Sequence, residues 1–234
     1  MKAIVAMTQR MIPAVATRGR LISMALVGVV GIAIGVVLQR ADVDVTDLDL
    51  YVAAFGFTIF VPLVALVIST ATLGSLREDK TLIYFWLRPI GRWKIAVAAI
   101  VAGLLLLLPL ILIPMGVLGA ITGETDSIVG ALAGSAVGLV AYLFVFTMLG
   151  LFTQRALAWG LLYVLVWEGL VAGFSDGAGQ LAIRTYANAA MTHISGTEIA
   201  ADPPGGLTVL IVTVVVALAS FFVTSWRLDN MTVD

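Results

Sequence analysis

IAVAAIVAGLLLLLPLILIPMGVLG, residues 95–119, runs for 25 positions without a charged side chain. As an α-helix, at about 1.5 Å per residue, it is long enough to cross the roughly 30 Å hydrocarbon core of a bilayer. It shows no polar–apolar alternation, and an open strand leaves its backbone unsatisfied in lipid, so a β-barrel reading fails. The stretch reads as a transmembrane helix. Working outward, five more segments have the same character: residues 21–39, 51–75, 127–153, 156–175 and 207–226. Only the 156–175 segment contains a charge, Glu168. The expected fold is therefore all-α, a polytopic membrane protein of six transmembrane helices. Composition agrees: 61% of the 234 residues are hydrophobic and 12% charged, against about a quarter charged in soluble domains. A mean hydropathy of +1.11 is more apolar surface than a core of this size hides, which makes the lipid bilayer the first partner.

The ends of the spans set the orientation. With the N-terminus inside, 11 of the 13 Lys and Arg residues fall on the inner side, leaving Arg40 and Arg184 outside. Asp42, Asp44, Asp47, Asp49, Glu124 and Asp126 gather on the outer side and read as solvated acidic loops. The expectation is a multi-pass protein of the plasma (cell inner) membrane with both termini cytoplasmic. Residues 1–20 form a separate amphipathic cytoplasmic segment ahead of the 21–234 transmembrane domain. On a helical wheel Ile4, Val5, Met7, Met11, Ile12 and Val15 share an arc opposite Lys2, Gln9, Arg10 and Thr17, as in an interfacial helix. Pro13 should bend it.

The same composition narrows the chemistry. A net charge of −1 gives no basic surface for nucleic acid. Zero cysteines exclude disulfides, thiolate nucleophiles and Cys-based zinc or iron–sulfur sites, and a single histidine, His193, gives no His cluster for a metal. No G-x-x-x-x-G-K-[ST] phosphate loop is present, so the chain does not hydrolyse ATP alone and needs no cofactor of its own. Energy comes from an ion gradient or a separate subunit, unless the protein is a passive channel or an intramembrane enzyme.

Two loops carry information. The outer segment, residues 176–206, contains 181–194, at about 21 Å too short to span; it reads as an interfacial or re-entrant helix packed on protein. The inner segment, residues 76–94, is LREDKTLIYFWLRPIGRWK. Seven charges surround an apolar, aromatic middle, and a short helix is expected there, ended by the Arg88-Pro89 step. Trp86, Arg92, Trp93 and Lys94 read as interfacial anchors, and Glu78, Asp79, Lys80 and Thr81 as a polar cluster facing the cytosol. Such a surface suits a soluble partner, although an ordinary positive-inside loop with an aromatic belt fits the composition equally well.

In order and spacing this loop resembles that of the six-helix permease subunits of type-2 ABC transporters. There an E-x-G-T-L segment after the second span precedes a leucine-rich stretch, R-P and a basic-aromatic entry to the third span. Here these are Glu78-Asp79-Lys80-Thr81-Leu82, Leu87-Arg88-Pro89 and Arg92-Trp93-Lys94, with Lys80 at the usual glycine. More loosely the likeness extends along nearly the whole chain, through Trp167-Glu168-Gly169 and the outer segment before the last helix. The resemblance implies a non-catalytic membrane subunit of an ATP-driven exporter for hydrophobic or amphipathic substrates. It implies a coupling helix in which Glu78, Asp79, Lys80, Thr81, Leu82, Tyr84, Phe85 and Arg88 contact an ATP-binding cassette subunit. Two such ATPase chains, which hold the ATP and Mg, and a second permease chain, identical or not, would complete the transporter.

Glu168 is the one ionisable residue deep in a span. A charge there costs on the order of 3 kcal/mol on insertion scales, so it should face protein or a watery cavity, or be protonated. It reads as a gating or hinge-stabilising residue or, alternatively, as a substrate contact. A gradient-driven carrier using Glu168 as its relay, and an intramembrane enzyme pairing Glu168 with His193, are the competing classes. Gly31 and Gly35, and Gly130, Gly134 and Gly138, are spaced for close helix approach, either within the bundle or between chains. Pro62, Pro109 and Pro114 should kink or unwind their helices.

Overall fold

The computed structural model describes residues 2–78, 91–173, 176–199 and 202–230. Among these the chain consists of helices and turns, with no strand. In order they are α1 (Lys2–Val15), α2 (Arg18–Arg40), α3 (Val45–Phe55), a π turn (Gly56–Phe60), α4 (Val61–Glu78), α5 (Trp93–Ile121) and α6 (Thr125–Phe152). After them come α7 (Ala156–Leu162), a second π turn (Tyr163–Glu168), a 3₁₀ turn (Val171–Gly173), a single helical turn (Asp176–Gly179), α8 (Ile183–Ser195) and α9 (Gly206–Asn230).

Among the described residues, five helices are long and apolar enough to cross a membrane: α2, the continuous 45–74 run, α5, α6 and α9. They outrun the expected spans by several residues, because a helix continues through its first interfacial charges instead of stopping at them. The expected fifth span differs. Its helix is 13 residues long, Ala156–Glu168, and then gives way to a 3₁₀ turn, Val171–Gly173. Glycines 169 and 173 weaken helix there, and Glu168 is drawn inward to partners described below.

Proline placement explains the first π turn. An α-helical Pro62 would press its ring against the carbonyl four residues back. The widened turn relieves this, and Val61 N–H bonds Gly56 O, five residues back. Pro109 and Pro114 remain inside an unbroken α5. Gly28 makes room for the latter, since a Cβ there would lie 3.2 Å from the Pro114 ring.

The main core lies between α4, α5 and α6, around Phe57, Phe60, Leu107, Met115, Tyr142 and Phe146, all fully buried. A second cluster closes the end that carries both termini, where Met7 and Met11 of α1 pack with Leu73, Ile95, Ala99, Leu151 and Leu228. The Thr8 hydroxyl reaches the Ala98 carbonyl at 3.4 Å. The amphipathic N-terminal helix thus exists, but most of its apolar arc faces protein; only Val5, 54% exposed, turns fully outward. This end holds Arg18, Arg20, Arg92, Lys94, Arg155 and Arg227 and is called the basic end; the opposite, acidic end holds Asp42, Asp44, Asp47, Glu124 and Asp126.

Candidate functional site

The glycines of α6 build the site's floor. A Cβ on Gly134 would come within 2.6 Å of the Ala187 carbonyl oxygen, and one on Gly130 within 3.1 Å of that of Met191. Their spacing therefore opens a groove inside the bundle, and α8 lies in it with Ala187 and Met191 buried. The short outer helix expected over 181–194 is present, ends on a left-handed Gly196 (φ 73°), and packs on protein. Its N-cap is Ala182, which has no side chain to accept from the first-turn amides.

Glu168 supplies that acceptor. Its side chain is 1% exposed. Oε1 accepts the Ile183 backbone N–H at 3.0 Å, and Oε2 accepts the Tyr142 hydroxyl. The Tyr163 hydroxyl is a further hydrogen-bond partner, and Arg184 places a positive charge nearby. The second π turn makes this convergence possible: Gly169 N–H bonds Val164 O, five residues back, at 3.0 Å. In an α-helix residues five apart point about 140° apart, whereas the wider turn brings Tyr163 and Glu168 toward one side. With donors on both oxygens, Glu168 is a structural pin between α6, α7 and α8.

His193 does not join it. His193 lies ten residues beyond Ile183 on α8, about 15 Å along the axis, and its Nε2 is 2.8 Å from the Pro204 carbonyl oxygen. The acid–base pair of the enzyme reading is therefore not assembled.

A second buried carboxyl went unread in the sequence. Asp42, Asp44 and Asp47 are exposed, as a solvated acidic loop requires, but Asp49 is 1% exposed. It lies inside α3, and its Oδ2 accepts the Ser127 hydroxyl at 3.0 Å and the Thr197 hydroxyl at 2.6 Å. The available signal was its position next to Leu48 on the inward face of a helix that starts at Val45, earlier than the expected span.

At the basic end, Glu78 is the last residue of α4; Asp79, Lys80, Thr81, Leu82, Tyr84, Phe85 and Arg88 lie outside the described residues. The exit of the loop is described. One Arg92 guanidinium nitrogen, Nη1, donates to the Leu228 carbonyl at 3.1 Å and also to that of Asp229. These are carbonyls of the last turn of α9, which have no partner within the helix, and a cation suits the negative end of its dipole. Lys94 lies 5.7 Å from the centre of the exposed Trp93 ring. Trp93, half-exposed, and Lys94 open α5, whereas Arg92 is a clamp between α5 and α9.

No family model and no curated protein matches this chain.

Proposed function

We propose that the chain is the membrane-embedded permease subunit of an ATP-driven ABC exporter, moved by a separate ATP-binding cassette subunit gripping residues 78–88. The observation that carries this reading is the sequence order Glu78…Thr81-Leu82…Arg88-Pro89…Arg92-Trp93-Lys94 between α4 and α5, with Arg92, where α5 begins, tied to α9. A push on such a loop is delivered to three helices at once. The core then relays it to α6 and to α8, the helix pinned by Glu168, so nucleotide selects between two packings of one bundle. The charge asymmetry of the two ends supports placing the loop and both termini in the cytoplasm of a cell whose inner membrane holds the protein. A second permease chain and two ATPase chains complete the assembly, with ATP and Mg held by the ATPase. An apolar lining suits hydrophobic or amphipathic cargo.

Copurification with an ATPase and ATP-dependent transport in proteoliposomes test the reading. Glu78→Lys and Arg88→Glu should uncouple ATP hydrolysis from transport; full transport by the purified chain alone refutes it. A gradient-driven carrier remains the alternative because Glu168 is a buried carboxyl. On that alternative Glu168→Gln abolishes transport, whereas a hinge pin tolerates it in part.

A further inference from the structure

Asp49 presents a charge-balance problem that the transport reading does not use. Its carboxyl is buried, and among the described residues no Lys, Arg or His hydrogen-bonds to it. Both of its donors are neutral hydroxyls, and both act on the same oxygen, Oδ2. Oδ1 is buried with no hydrogen-bond partner. An uncompensated buried carboxylate costs several kcal/mol, so a positive species belongs at Oδ1.

We infer that Asp49, Ser127 and Thr197 form a binding site for a monovalent alkali cation at the acidic end of the bundle. The donor chemistry selects this class. All the available ligand atoms are oxygens, the hard donors that alkali and alkaline-earth ions prefer over transition metals. One carboxylate balances one positive charge, and among the described residues no group of three His, Cys, Asp or Glu is placed to hold a more highly charged ion. Thr197 is half-buried and lies between the exposed Gly196 and Glu198, so this ligand residue sits at the edge of the bundle. Asp42, Asp44 and Asp47, exposed on the adjoining turn and helix start, raise the local cation concentration.

The site also has a structural consequence. Asp49 belongs to α3, Ser127 to the first turn of α6, and Thr197 follows the αL cap of α8. A cation there ties together the second span, the fourth span and the far end of the same short helix that Glu168 holds at its start. This inference does not depend on which motor drives the protein.

The test uses the full-length protein purified in detergent, with NaCl titrated against choline chloride at constant ionic strength, and measures Tm together with direct ²²Na⁺ binding. Na⁺ should raise Tm in step with the logarithm of its concentration, by about 3 °C or more at ten times the Kd given by ²²Na⁺ binding, where choline does not. Asp49→Asn should abolish both the shift and the binding. Because that variant can fail to fold, Thr197→Val and Ser127→Ala are read beside it, and each should raise the Kd for ²²Na⁺ about tenfold or more. Equal responses to Na⁺ and choline, or a Na⁺ response retained in Asp49→Asn, overturn the proposal. So does a wild-type Tm that ignores Na⁺ but carries a pH dependence lost in Asp49→Asn, which identifies the occupant as a proton.

Discussion

The partners of Glu168 decide what each substitution there costs. Glu168→Ala leaves the Tyr142 hydroxyl and the Ile183 amide as buried donors without their acceptor, at about 1–3 kcal/mol each. Glutamine keeps one acceptor oxygen, so Glu168→Gln should fall between wild type and Glu168→Ala in thermal unfolding in detergent. Tyr142→Phe removes one donor and should cost about 1–3 kcal/mol by the same measurement. Equal losses for Gln and Ala would show that the paired acceptors are not what matters. That Glu168 is special was legible, since no other ionisable side chain interrupts a span. Its partners were not, because Tyr142 comes from another helix 26 positions earlier and Tyr163 reaches the same side only through a π turn. Asp49 was misread for a related reason: four aspartates in eight residues look like a loop until the helix start is known.

Among the elements, the α6–α8 contact is the most exacting. Gly134 is pressed on one side by the Phe57 ring and on the other by the Ala187 backbone carbonyl, which cannot yield without moving α8. Gly134→Ala should therefore cost about 1–3 kcal/mol and, by shifting Ile183, loosen the Glu168 pin. Gly116→Ala on α5 is the control: its Cβ would lie 3.4 Å from the flexible Leu132 side chain, an ordinary contact. A Tm drop for Gly134→Ala with little change for Gly116→Ala checks the groove; similar values for both would remove it. The glycine spacing made close approach legible, but spacing does not say which helix arrives. Apolar run length similarly identified the five long helices, but in the 156–175 segment the helix runs to Glu168 before a 3₁₀ turn, a change that hydropathy does not register.

At the scale of the whole molecule, the proposed exporter function requires that a force applied at the basic end by the ATPase reach the acidic end. Arg92 stands where the loop enters α5, and its bonds to the last carbonyls of α9 tie the fifth long helix to the third; under the proposed function the two should move as one body. Docking and transmission can then be separated by substitution. Arg88→Glu alters the surface offered to the ATPase and should weaken copurification. Arg92→Ala keeps residues 78–88 unsubstituted but removes the tie to the α9 C-terminus, losing hydrogen bonds from a charged donor worth about 1.5–3 kcal/mol together with its interaction with the helix dipole. The expected result is an intact complex that hydrolyses ATP while moving less substrate per ATP. Lysine keeps the charge without the guanidinium geometry, so Arg92→Lys should restore part of the coupling ratio. Measuring ATP hydrolysed and substrate transported in the same proteoliposomes checks this. If Arg92→Ala lowers both rates in equal proportion, Arg92 acts through stability alone and α9 is not part of the moving body.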